Sequence, residues 1–111
     1  MTLLTVHLWV GVAVVLLALA AVWQRTGRRI ALYAATLQIL IGIVLVAERF
    51  NAPWYHYALA LAGWAGYMVA NAMTRRGAAQ RTVLTVTAIA SILILAAFAI
   101  GQAAVRAGGT A

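Results

Sequence analysis

Very few side chains in this sequence could do chemistry. His7 and His56 are the only histidines, Glu48 is the only acid, and there is no cysteine or lysine. Without cysteine there are no disulfides, no thiolate ligands and no covalent c-type haem attachment. A lone acid cannot form a carboxylate pair, and no nucleophile triad or phosphate-cradling loop is present, so hydrolase chemistry has no support. What remains is imidazole, which in its neutral form is a good ligand for a transition metal. Two imidazoles can fill both axial positions of a haem iron.

The rest of the chain must place those two rings. Of its 111 residues, 67% are hydrophobic and 8% charged, a balance outside the range of soluble domains. A membrane-crossing helix needs roughly 20 apolar residues. Four such stretches fit, at about 3–23, 30–50, 54–73 and 83–104. The expected fold is therefore all-α, a single four-transmembrane-helix bundle in the lipid bilayer. Gly27 reads as a helix breaker between the first two helices, and Pro53 as part of the first turn of the third. The fourth helix is the plainest, with Thr85, Thr87 and Ser91 able to bond to their own backbone.

Six of the eight arginines (Arg25, Arg28, Arg29, Arg75, Arg76 and Arg81) cluster at the first and third connections. The positive-inside rule then places both termini and the crossing near Glu48 on the outer side, periplasmic or extracellular. Trp54, Tyr55 and Tyr57 mark the outer interface and Trp23 the inner one. No basic charge precedes the first apolar run, which argues against a secretory signal peptide. The implied location is a prokaryotic cytoplasmic (inner) membrane, with the protein multi-pass. The high pI is explained by topology, so nucleic acid is not an expected partner.

His7 lies sixteen residues before Trp23, and His56 seventeen before Met73. Both therefore sit about 25 Å above the inner boundary, at matched depth. Each begins a stripe of small residues at helical spacing: His7, Gly11, Val14 and Ala18, and His56, Ala60, Gly63 and Tyr67. On the second helix Gln38, Gly42, Leu45 and Arg49 form a third stripe. The three glycines (Gly11, Gly42 and Gly63) would leave room for a flat macrocycle. Arg49, with Trp54 or Tyr55, would meet its propionates. Blander readings exist for each feature. A histidine near an interface can be an amphipathic side chain at headgroup level. Small residues can mark close helix packing, and Arg49 can snorkel or pair with Glu48. The matched depth of the only two histidines favours the cofactor reading, since ionisable groups inside a membrane are costly.

The stretch IALYAATLQILIGIVLVAERFNAPWYHYALALAGWAGYMV resembles the haem A synthase family. There, a helix carrying Q-x-x-L-G precedes a short outer crossing and a helix that opens with a ligand histidine. The corresponding residues here are Gln38 to Gly42, with Ile41 at the leucine position, then His56 with Leu59, Ala60 and Leu61. The family's partner histidine, followed by a glycine, corresponds to His7 and Gly11. The resemblance covers about the first seventy residues, three helices of one half of a two-fold repeated bundle. The family's oxidising site has a glutamate where this chain has Leu3 and Leu4. Leu8 replaces a common arginine, and the outer cysteine pair has no counterpart. The resemblance thus implies the haem-binding architecture rather than haem oxidation.

The expectation is a membrane cytochrome binding one haem b near the outer face, with His7 and His56 on the iron. Its role would be electron transfer or haem handling, and no catalytic residue is assigned. Partners suited to that position are a quinol, an outer-face redox protein, a larger membrane complex or a second copy of the chain. The alternatives are a non-catalytic scaffold or assembly subunit, a small four-helix transporter, and a copper or other metal site with Met1 or Glu48 joining the histidines.

Overall fold

The computed structural model describes residues 2–21, 24–48 and 52–106, apart from the side chain of Arg25. Four helices account for nearly all of these: α1 (Leu3–Ala21), α2 (Arg25–Ala47), α3 (Trp54–Arg75) and α4 (Gln80–Arg106). They form a bundle of 45 × 24 × 20 Å. α1, α2 (from Thr26) and α4 are each long and apolar enough to cross a membrane. α3 has the length, at 22 residues. Its aromatic residues, His56 and Asn71 make it less apolar than the other three.

Helix boundaries depart from expectation mainly at the arginine-rich end. Gly27 does not break a helix but lies inside the first turns of α2. A Cβ there would stand 3.2 Å from the carbonyl oxygen of Ala20, so glycine lets α2 fold back directly on α1. The arginines assigned to loops are largely helical, with Arg28 buried (8% exposed) and its Nη1 donating to the Ala21 carbonyl at 3.4 Å. At the other turn, α3 ends in a Schellman motif. Gly77 has φ of 74°, the Ala78 N–H donates to the Met73 carbonyl (3.0 Å) and the Gly77 N–H to Thr74 (3.2 Å). Pro53 sits at the N-cap of α3, and its carbonyl accepts the His56 N–H at 2.9 Å.

The helices pack as two hairpins. α1 lies mainly against α2 and α3 mainly against α4, with sparser contact of α2 with α3 and of α1 with α4. α1 and α3, which carry the histidines, are therefore diagonal. The core is made of small residues: Ala18, Ala21, Ala31, Ala35 and Ala90, together with Val14, Ile94 and Tyr67. Small side chains let helix backbones approach closely where lipid supplies no hydrophobic drive between helices. Side-chain bonds cross-link this region. Ser91 donates to the Ala18 carbonyl (2.9 Å), tying α4 to α1. That uses its single proton, so the buried Tyr67 hydroxyl is the donor in its 2.9 Å bond to Ser91 Oγ. Trp64 Nε1 donates to Thr36 Oγ1 (2.9 Å), and Asn71 Nδ2 to the Arg28 carbonyl (3.2 Å), joining α3 to α2. Thr85 and Thr87 bond to their own helix as expected, whereas Ser91 bonds outside it.

Candidate cofactor site

Above this core the two hairpins separate, and a cavity of about 470 Å³ opens between them at the end that carries the 48–53 crossing. His7 from α1 and His56 from α3 both line it. Its walls are otherwise apolar except for Gln38, Tyr57 and Gln102, a composition usual for a cofactor pocket of this size.

His56 has a defined tautomer. Its Nδ1 lies 2.7 Å from the Ala97 carbonyl oxygen on α4. A carbonyl can only accept, so Nδ1 carries the proton and Nε2 is left with its lone pair. This is the arrangement that orients a metal-ligating histidine: one ring nitrogen donates to a fixed acceptor while the other is basic. Glycine makes it possible, since a Cβ at Gly101 would approach the His56 Cε1 to 2.9 Å.

His7 is placed differently. Its ring rests on Gly42, where a Cβ would lie 3.3 Å from Cε1. Its Nδ1 is buried and has no hydrogen-bond partner. The Gln38 amide donates through Nε2 to the His7 backbone carbonyl at 2.7 Å, passing Gly11, where a Cβ would come within 3.0 Å of that nitrogen. The other end of the same amide, Oε1, is buried and unpartnered. Orphaned buried polar atoms are uncommon in native structures and call for an explanation. Both belong to residues that line this one cavity.

Of the residues singled out in the sequence, His7, His56, Gly11 and Gly42 come together here. Gly63 does not. A Cβ on it would stand 2.8 Å from Ile94, so it serves the close contact of α3 with α4, as does Gly66 against Ala90. Trp54 and Tyr55 pack edge to face but are 75% and 44% exposed and do not line the cavity. Tyr57 does line it, and its hydroxyl accepts the Ala52 N–H at 3.0 Å, which pins the crossing to α3. Arg49 lies outside the described residues, as do Trp23 and Met1. The contribution of α4 was missed. Ile94, Ala97, Phe98, Gly101 and Val105 all face the cavity, and a stripe at this spacing, with Gly101 in it, is visible in the sequence. Among the described residues no group of three or more His, Cys, Asp or Glu could enclose a bare metal ion.

The residues present suit a haem. There are two imidazoles in one lining, one with its tautomer set for ligation and one with an unpartnered Nδ1, an apolar wall, and glycines beneath both rings. No family model matches the chain, and neither a curated protein nor a solved structure is similar to it.

Proposed function

We propose that this chain is a membrane b-type cytochrome that holds one haem between α1 and α3, with His7 and His56 as axial ligands. One observation carries the reading: the only two histidines of the sequence, on diagonal helices of different hairpins, line a single apolar cavity. When bound, a bis-imidazole haem supplies reversible one-electron chemistry. The protein's own contribution is positional. Ala97 holds the His56 proton on Nδ1, Gln38 grips the backbone under His7, and the apolar walls exclude water. Trp54 and Tyr55, beside the Ala52 wall, together with Arg49, are the groups proposed for the propionates.

The positive-inside rule supports an orientation with the arginine-rich end in the cytoplasm and the haem near the outer face of a prokaryotic inner membrane, with α3 as the fourth span. From there the haem would exchange electrons with a quinol, an outer-face redox protein or a larger membrane complex, or serve in haem handling. This reading agrees with what the resemblance to haem A synthases implies, a haem-binding half-bundle without the oxidising glutamate. The test is an oxidised-minus-reduced optical spectrum of the purified protein beside His7→Ala and His56→Ala. A sharp low-spin b-type spectrum that either substitution removes is expected. Protein that stays colourless after haem is added would sink the reading and leave the scaffold role in front.

A further inference from the structure

A second cleft lies at the opposite end of the bundle. It is about 270 Å³ in volume, opens between α2 and α3, and is lined by Arg29, Leu32, Tyr33, Asn71, Thr74 and Arg75. Its floor is tied in place. Asn71 is buried and donates both to the Arg28 carbonyl on α2 (3.2 Å) and to the Tyr67 carbonyl on its own helix (2.8 Å). That bridge fixes the spacing of the two helix ends that carry Arg29 and Arg75. Thr74 is anchored likewise through the Ala70 carbonyl (2.9 Å).

The cleft lacks a counter-ion. The only acidic side chain of the sequence is Glu48, at the far end of α2. It is nineteen residues along the helix from Arg29, hence about 28 Å away. That separation exceeds the Debye length at physiological salt. Next to Arg29, Arg28 adds a buried positive charge whose Nε has no partner. Two exposed guanidinium groups thus flank a polar floor, with no acidic side chain in reach. Guanidinium matches the oxygens of phosphate in a bidentate fork. On the α2 side, Leu32 and the exposed Tyr33 continue the cleft along the apolar part of the helix, where an acyl chain and an interfacial ring would meet.

We propose that this cleft binds a phosphate group, with Arg29 and Arg75 as its paired ligands. Two sources offer that chemistry, the headgroup of an anionic phospholipid and free phosphate. The site is independent of haem binding.

Native mass spectrometry of the full chain in detergent tests it, with phosphatidylglycerol, phosphatidylcholine and inorganic phosphate as probes. Phosphatidylglycerol adducts should be retained in preference to phosphatidylcholine. An Arg29→Gln/Arg75→Gln double variant should lose retention by about 25-fold, from about fivefold for each basic group near an anionic headgroup. An Arg76→Gln/Arg81→Gln control, with the same charge loss outside the cleft, should keep it. Because Arg29 and Arg75 are exposed, both variants should fold, as helix content by circular dichroism will show. An Arg29→Lys/Arg75→Lys variant keeps the charge without the planar fork and should retain lipid at an intermediate level. Loss of the lipid preference on adding inorganic phosphate supports the site with free phosphate as its source. Persistence of the preference supports the lipid headgroup. Equal loss in the Gln variant and the control, or no retention of either probe by the unaltered chain, overturns the proposal.

Discussion

The two halves of the bundle are built on opposite terms. In the arginine-rich half, small residues bring the helices into close contact, and hydrogen bonds through Ser91, Tyr67, Trp64 and Asn71 link α4 to α1, α3 to α4 and α3 to α2. In the other half the same four helices leave a 470 Å³ cavity, and both His7 Nδ1 and Gln38 Oε1 are buried without partners. A chain that cross-links one half through small, close-packed side chains could have filled the other with ordinary apolar ones. Instead it places both of its histidines there, with glycines beneath the rings. The packed half acts as a foundation that holds the open half at a fixed width, as a site built on rigid elements requires.

That contrast predicts a double dissociation between spectrum and stability. The largest effect should come from His56→Ala, which should remove the low-spin haem spectrum altogether while helix content by circular dichroism is kept. A variant that retains the spectrum would place the ligand elsewhere. Next comes Tyr67→Ala in the packed half, expected to destabilise by about 3–5 kcal/mol, the range for deleting a buried aromatic ring. Denaturant titration in detergent measures it, and the spectrum of the folded fraction should not shift. Gly66→Ala should cost about 1–3 kcal/mol by overpacking, because its Cβ would stand 2.7 Å from the Ala90 Cβ, which cannot swing away. Smallest in stability is Gln38→Leu, at under about 1.5 kcal/mol, since it gives up one hydrogen bond but also removes an orphaned acceptor. Its mark should be spectral, a changed line shape or potential as the backbone under His7 loosens. Were Gln38→Leu to unfold the protein with no spectral change, the division between foundation and site would fail.

Much of this was legible in the sequence. The 3.6-residue stripe of His7, Gly11 and Val14 and that of Gln38, Gly42 and Leu45 do face one cavity, because residues three or four apart share one face of a helix. The four helices follow from apolar runs of about 20 residues, though only three are apolar enough to cross a membrane without further argument. Gly63 shows where such reading stops. A small residue one turn from a ligand and a small residue under a neighbouring helix look alike until the position of α4 is known. Gly27 was misread for a related reason, since glycine permits a break but also permits the near contact with Ala20 that it actually makes. The acceptor for His56 is a main-chain oxygen, which no residue type encodes. Only the Gly101 notch in α4, within helical reach of Ala97, hints at it.

The hairpin arrangement has a consequence for how the protein is made. His7 belongs to the first hairpin and His56 to the second, and the tightest packing lies within each hairpin. Each pair can therefore enter the bilayer and zip together as a unit soon after synthesis, leaving the docking of one pair onto the other as the late step. The 48–53 crossing is the only covalent tie between them. Two fragments divided there and co-expressed should find each other, and a ligand gripping one imidazole from each would work as a clasp, making maturation responsive to cofactor supply.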